Sequence, residues 1–488
     1  MRKFNFKLIA RITGTLLMYF ACSMVIPLLV SLYYKDGAQF SFIVSGMVIL
    51  LLGMLLRNIV GRNVRYDLKE IESYWITFII WLVVPMCGTV PYLVTGAIGT
   101  VTDAVFESFS GFTTTGSSIV ALPEELPLSL LVYRSFTQWV GGIGLLLFVV
   151  AILRKLGIGA GQLYEAEFSG ARHRKLHPHL SKSVTRMWTL YTLITLAMVG
   201  LLYWVGEVRF GDAICLALST VSTGGFAPDN GGMAMLTDGG LVIVTVFMML
   251  SGISLVRLYQ LFTFRWTHLR HDQELHCYLA ILFSAVALCV VAFCSVGNGF
   301  KESLQYSLFH VASTMSSTGF YVAKPAHWSF FVSAITFLLI LLGASAGSTG
   351  GGIKIWRVIA VVKYMGNYFT NMLHPNAVTC VKINGQVVET DYINKIFAFV
   401  FLYMAFIVGG AFVLTLCGCT IPNSICMAAA NVSNLGPSPL INNLGGSLDY
   451  AMLPNLAKWT LTVLMLAGRL ELFALIAVFS PAYWKRRI

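Results

Sequence analysis

Charge is scarce in this sequence. Only 11% of its 488 residues are Asp, Glu, Lys or Arg, less than half the roughly 25% usual in soluble domains. That scarcity excludes a soluble enzyme and an intrinsically disordered chain. It also excludes a nucleic-acid-binding domain, because the net charge of +12 lies in short runs between apolar segments and not on one polar face. Metal and redox motifs are missing as well. The ten cysteines include no Cys-x-x-Cys pair and no Cys/His set at zinc spacing. Cys417 and Cys419 suit neither a disulfide nor zinc, so buried thiols are expected. No Ser/His/Asp set and no pocket of paired acids points to catalysis, and no enzyme is expected. No small-residue cleavage site follows the first apolar run, which continues to about Tyr34. An uncleaved first span is expected.

Apolar residues make up 57% of the chain, and mean hydropathy is +0.77. A membrane crossing needs about 20 apolar residues. Candidate crossings fall at 9–33, 40–56, 74–95, 136–153, 188–205, 241–264, 276–296, 329–363, 391–417 and 453–480. With the N-terminus inside, 26 of the 33 Lys and Arg lie in cytoplasmic stretches and six in external ones, leaving Arg469 within a span. That asymmetry follows the positive-inside rule and predicts ten crossings with both termini cytoplasmic.

Four external connections share a pattern. Each is moderately apolar and ends in a Ser/Thr/Asn-rich string closing on glycine: Thr113-Thr114-Thr115-Gly116, Ser222-Thr223-Gly224, Ser316-Ser317-Thr318-Gly319 and Ser433-Asn434-Leu435-Gly436. The closing glycines are 108, 95 and 117 residues apart. A unit of span, short helix, string and span therefore occurs four times. It divides the chain into two N-terminal spans (1–70) and repeats at 71–155, 156–270, 271–365 and 366–488. Asp103, Asp212 and Asn423 are expected as N-caps of the short helices. Glu302 lies farther from its glycine, so the third short helix is expected to be about a turn longer or capped differently.

Extended backbone at membrane depth is tolerated only where protein buries it or water reaches it. Four such strings can meet on one axis. Short helices that enter from outside aim their C-terminal ends, each with about half a negative charge, inward. That field favours a cation, and rings of carbonyl oxygens can replace its water shell. The expected fold is an all-α polytopic membrane protein with four pseudo-symmetric repeats around one pore.

These features resemble the Trk/Ktr/HKT superfamily of potassium transporters, most closely its bacterial Trk-type uptake subunits. Similar segments are Arg134-Ser-Phe-Thr-Gln-Trp-Val-Gly-Gly-Ile-Gly144, Leu156-Gly-Ile-Gly-Ala-Gly-Gln-Leu-Tyr-Glu-Ala-Glu167, Gly347-Ser-Thr-Gly-Gly-Gly-Ile-Lys354 and Gly468-Arg469-Leu-Glu471. The two additional N-terminal spans favour the Trk subgroup. The resemblance implies potassium uptake across a bacterial inner membrane, with potassium held at Thr114, Thr115, Gly116, Ser222, Thr223, Gly224, Ser317, Thr318, Gly319, Asn434, Leu435 and Gly436. It also implies a homodimer, each subunit with its own pore, gated by a cytoplasmic ring of nucleotide-binding partner subunits. No nucleotide is expected on this chain and no nucleic acid as a partner. A sodium- or proton-coupled symporter working by alternating access is the alternative. Four repeats in one orientation count against it, since carriers commonly show inverted pairs.

Two further features bear on the pore. Gly343, Gly347, Gly350, Gly351 and Gly352 interrupt the 329–363 span, and each glycine disfavours helix by about 1 kcal/mol. A kink that eases packing is one reading. A mobile loop across the pore, acting as a gate, is the reading the resemblance favours. Arg469 is costly within a span and marks function. Glu471, two residues on, lies roughly on the opposite helix face. Arg469 is therefore expected to face inward and bind carbonyls of the Gly343–Gly352 loop. The same loop lacks the Gly-Lys-Ser/Thr ending of a phosphate-binding loop, and Gly157-Ile-Gly159-Ala-Gly161 lacks dinucleotide spacing. His173, His177 and His179 lie in a basic, solvated loop, and Asn431-Val-Ser433 is a glycosylation pattern inside a re-entrant segment.

Overall fold

The computed structural model describes residues 5–58, 70–143, 180–297, 299–322, 330–436, 450–472, 475, 476 and 478. Nearly all regular structure among them is helical; the exception is a two-stranded hairpin at Lys382–Ile383 and Gln386–Val387. Six helices are long and apolar enough to cross a membrane, and a seventh crossing is made if one bent pair counts as a single span.

Two spans precede the repeats. The first joins helices Phe6–Ser23 and Val25–Tyr34, and the second is Gln39–Asn58. Gly14 and Gly53 let their backbones meet: a Cβ on Gly14 would lie 2.7 Å from the Gly53 carbonyl oxygen. In a bilayer, small residues of this kind allow the close packing that drives helix association.

Each repeat then has a leading helix, a short helix and a trailing helix. The leading helices are Glu70–Cys87, Leu180–Trp204, Gln273–Ser295 and Thr390–Leu416. The short helices are Val101–Phe112, Phe210–Val221, Phe300–Met315 and Ile421–Val432. The trailing helices are Leu128–Gly142, Asp238–Ser251, Phe330–Leu342 and Asn455–Arg469. Every short helix packs against its own trailing helix or leading helix and against the trailing helix of the preceding repeat, with the fourth trailing helix against the first short helix. The repeats therefore close into a ring. Outward faces such as Phe401, Met404, Val408 and Phe412 are exposed, as expected where lipid and not water is the solvent.

The trailing spans are broken in the second and fourth repeats as well as in the third, where the glycines predict it. The 241–264 segment is two helices, Asp238–Ser251 and Leu255–Phe262, bent by 112°. The third stops at Leu342 and resumes at Ile355. The fourth stops at Arg469, followed by left-handed Glu471 and Leu472 (φ 53° and 58°). The glycine-rich break was visible in sequence only for the third. In the second, Ser345 N–H donates to the Gly252 carbonyl (3.1 Å) and Leu255 N–H to the Gly347 carbonyl (3.2 Å). Backbone groups freed by the bend are thus paired by a segment about 90 residues away, which no local pattern reveals.

Candidate ion-conducting site

The short helices position the strings. Their caps are Thr100, Arg209, Gly299 and Thr420, which corrects the expectation that Asp103, Asp212 and Asn423 are N-caps. Counted from the cap, Asp103, Asp212, Glu302 and Asn423 are all the third helical residue. Thr100 Oγ1 accepts from Asp103 N–H at 3.2 Å. An acid in the first turn faces the positive end of the helix dipole, so it serves the same helix end from inside it. The third helix has 16 residues against 12 in the others. That extra turn brings Glu302 to the shared position.

After each short helix the chain takes one and the same path. Thr115, Gly224, Thr318 and Leu435 N–H groups donate to the carbonyls of Ser110, Ser219, Ser313 and Ala430 at 2.7–2.9 Å. The preceding residues, Thr114, Thr223, Ser317 and Asn434, are all left-handed, with φ of 55°, 56°, 58° and 51°. Such conformations cost non-glycine residues about 1–3 kcal/mol each and cluster at functional sites. Two residues later comes a glycine with positive φ: Gly116, Gly225, Gly319 and Gly436.

This correspondence corrects the register of the second string. Its closing glycine is Gly225, not Gly224, and its equivalent window is Thr223-Gly224-Gly225. Ser222 corresponds to Thr113, Ser316 and Ser433. Two adjacent glycines made the choice ambiguous in sequence, and the backbone angles and the Gly224 N–H bond distinguish them.

The four closing glycines and the carbonyls before them form a closed circuit. A Cβ on Gly116 would collide with the Gly224 carbonyl, and one on Gly225 with the Thr318 carbonyl. On Gly319 it would lie 3.3 Å from the Leu435 carbonyl oxygen, and on Gly436 it would lie 2.5 Å from the Thr115 carbonyl oxygen. Strings one, two, three and four thus follow in order and return to one. Glycine is required here both by φ and by the approach of the neighbouring backbone.

The glycine-rich loop, 343–354, passes against these strings. A Cβ on Gly350 would lie 2.5 Å from the Ser316 carbonyl oxygen, and one on Gly351 would collide with the Ser433 carbonyl. Gly351 N–H donates to Ser317 Oγ at 2.7 Å. Thr223 Oγ1 and Thr349 Oγ1 are 3.2 Å apart. Gly343, Gly347 and Gly352 have φ of 67°, 78° and 81°.

Arg469 completes the contact with the first string. Its guanidinium donates to the carbonyls of Thr349 (3.0 Å), Gly142 (3.1 Å) and Gly141, and to Thr114 Oγ1 (3.3 Å). Glu471 instead pairs with Arg357 at 2.6 Å. Lys354 Nζ donates to the Gly350 carbonyl. Gly142, Thr349, Lys354, Arg357, Arg469 and Glu471 line a cavity of about 90 Å³ beside the loop.

A family model described as a cation transport protein, TrkH, matches residues 40–486. The chain belongs to the TrkH family. Among curated relatives, the Trk system potassium uptake proteins TrkH of Salmonella typhimurium and Escherichia coli K12 are each 31% identical over 488 residues, covering 99% of this chain and all of theirs. TrkG of Escherichia coli K12 is 27% identical, over 98% of this chain and 99% of its own. The crystal structure of the potassium transporter TrkH from Vibrio parahaemolyticus superposes with a TM-score of 0.87 at 28% identity, covering 99% of this chain and 100% of that one. The TrkH family consists of transporters and not of enzymes, and the chain is a multi-pass membrane protein.

Several groups escaped the sequence reading. Glu107 and Arg134, both buried, pair at 2.8 Å, and Arg134 also covers the Phe226 ring at 4.3 Å. Arg134 is 2% exposed. Gln138 bonds the second string across the repeat boundary. Glu274 bonds Arg257 at 2.8 Å and accepts from Ala346 N–H of the loop at 2.5 Å. Partners this distant leave no motif. Asn431 is fully buried and accepts from Ser117 Oγ at 3.1 Å, so its glycosylation pattern sits in packed protein. Leu156–Glu167, Gly157–Gly161, Arg172, His173, Arg174, Lys175, His177 and His179 lie outside the described residues.

Proposed function

We propose that this TrkH-family protein takes up potassium across the bacterial inner membrane through a channel-like pore. Potassium sheds water at the four strings, passes the Gly343–Gly352 loop with Arg469, and enters the cytoplasm down its electrochemical gradient. The filter residues are Thr114, Thr115 and Gly116; Thr223, Gly224 and Gly225; Ser317, Thr318 and Gly319; and Asn434, Leu435 and Gly436. The observation that carries this reading is the closed circuit of four equivalent strings, each presenting a carbonyl against the next closing glycine. The oxygens that the strings present to one another are backbone carbonyls, the ligand type that suits a monovalent cation at a filter. The relatives' names as potassium uptake proteins support the choice of ion. The functional unit is a homodimer in lipid, with both termini cytoplasmic, and a cytoplasmic nucleotide-binding ring controls the loop from the basic stretches 154–186 and 354–395.

The test is reversal potential in a planar bilayer with opposed potassium and sodium gradients. A potential near the potassium equilibrium value is expected. A potential that follows the sodium or proton gradient would replace the channel with a coupled symporter.

A further inference from the structure

The four strings share a backbone but not a means of holding it. In the first, Thr113 Oγ1 and Thr115 Oγ1 are hydrogen-bonded at 2.8 Å. In the third, Ser316 Oγ and Thr318 Oγ1 are hydrogen-bonded at 2.7 Å. Each pair ties the residue before the closing glycine to the residue that follows the short helix. The second string cannot make this tie, because the corresponding residue is Gly224. Ser222 Oγ turns back instead to the Ser219 carbonyl at 3.1 Å.

Gln138, from the first repeat's trailing helix, occupies the vacated place. A Cβ on Gly224 would fall on Gln138, whose Cδ, Oε1 and Cβ are its three nearest atoms. Gln138 Nε2 donates to the Gly224 carbonyl at 2.7 Å. Its Oε1 accepts from Ser219 Oγ at 2.7 Å and from Phe226 N–H at 3.3 Å. The side chain is fully buried. One amide therefore fixes the string's carbonyl, the short helix behind it and the residue after its closing glycine. Two consecutive glycines would otherwise make this the least restrained quarter of the ring.

We propose that Gln138 is a positioning residue for ion selectivity: it holds the Gly224–Gly225 backbone in register with the other three strings. This rests on reading the strings as the filter. The repeats are joined here in trans, with the first repeat supplying the brace that the second lacks. The chemistry also implies an exchange. Gly224 does not have positive φ, and the three nearest neighbours of its added Cβ all belong to Gln138. With Gln138 shortened, a threonine at 224 has room to reach Ser222 as Thr115 reaches Thr113.

The experiment measures the potassium-over-sodium permeability ratio in liposomes for Gln138→Ala, Gly224→Thr, the double variant, Gln138→Met and Gly116→Ser, at matched protein content. Loss of a buried hydrogen bond predicts a fall of about tenfold for Gln138→Ala. A comparable fall is expected for Gly224→Thr, where the new side chain overlaps Gln138. The double variant recovers most of the ratio. Gln138→Met has nearly the parent's volume but no donor for the Gly224 carbonyl, and its ratio also falls; this variant decides the matter if shortening Gln138 prevents folding. An unchanged ratio in Gln138→Ala or Gln138→Met, alongside a lowered one in Gly116→Ser, overturns the inference and leaves the filter reading standing. A double variant no better than the worse single also overturns it. Unchanged ratios in every variant remove the filter reading and the inference together.

Discussion

Replacing Arg469 tests the proposed gate most directly, because two separable effects meet there. The first is a tether. The bond from Arg469 to the Thr349 carbonyl, 3.0 Å long, joins a charged donor to the loop, a type worth about 1.5–3 kcal/mol. Its loss multiplies the population of a displaced loop by about 10- to 100-fold. The second is repulsion. A potassium ion about 6 Å from the guanidinium, at an effective dielectric constant of about 20, is opposed by roughly 3 kcal/mol. That amounts to about a hundredfold in rate at 1.4 kcal/mol per tenfold. Arg469→Ala removes both effects. Arg469→Lys keeps the charge, but a single ammonium cannot span from Gly141 and Gly142 to Thr349 as the planar fork does. The expected order of partner-free flux is therefore Ala above Lys above parent. Rubidium uptake into vesicles holding equal amounts of each variant measures it. If Ala and Lys both match the parent, Arg469 is a packing residue and the gate loses its cation. If flux vanishes in a folded Ala variant, the arginine holds the pore open.

The closing glycines should respond unequally: Gly116→Ala forces a collision with Gly224, whereas Gly319→Ala leaves 3.3 Å to the Leu435 oxygen. Reversal potentials should show a larger loss of potassium preference for Gly116→Ala, and equal losses would count against the close-approach argument. Glu107 and Arg134 are 0% and 2% exposed, so Glu107→Gln leaves a buried guanidinium without its counter-charge and should destabilise the fold by about 3–5 kcal/mol. Thermal unfolding in detergent reads this, and an unchanged midpoint would refute the claim that the pair supports the fold. Charge reversal at Arg172, Arg174 and Lys175 together should weaken co-purification with the cytoplasmic ring at low salt. Full retention at low and high salt removes the 154–186 loop from that interface.

Much of the fold was legible because its signals are repeated. The Ser/Thr-rich strings recur about every hundred residues, each beside a short helix and between apolar ones. Local signals failed where distant atoms decide. The bend after Ser251 carries only one glycine, Gly252, and its hydropathy runs on through Leu255–Phe262. Its free backbone groups are paired by Ser345 and Gly347. The caps were misplaced by three residues because acids favour a helix's first turn as well as its cap. Arg469 was legible because an arginine in an apolar span must have a reason. Gln138 and Glu107 were not, since their partners lie in another repeat or across a turn of the string.

The fourfold plan also explains why its members had to diverge. At the strings the repeats keep one backbone path with left-handed Thr114, Thr223, Ser317 and Asn434, as the proposed filter requires. A segment that crosses the proposed pore has room for only one copy. The break in the second trailing span takes three residues, 252–254, whereas the third takes twelve, 343–354. That single long loop reaches the second string through Thr349, the third through Gly351 and Ser317, and the fourth at the Ser433 carbonyl. It has no bond of its own to the first string among the described residues. Arg469 supplies that link by joining Thr349 to Thr114. A long cationic side chain is therefore needed in the fourth repeat for the same reason that a long loop is tolerated in the third: one asymmetric element must be held from four sides.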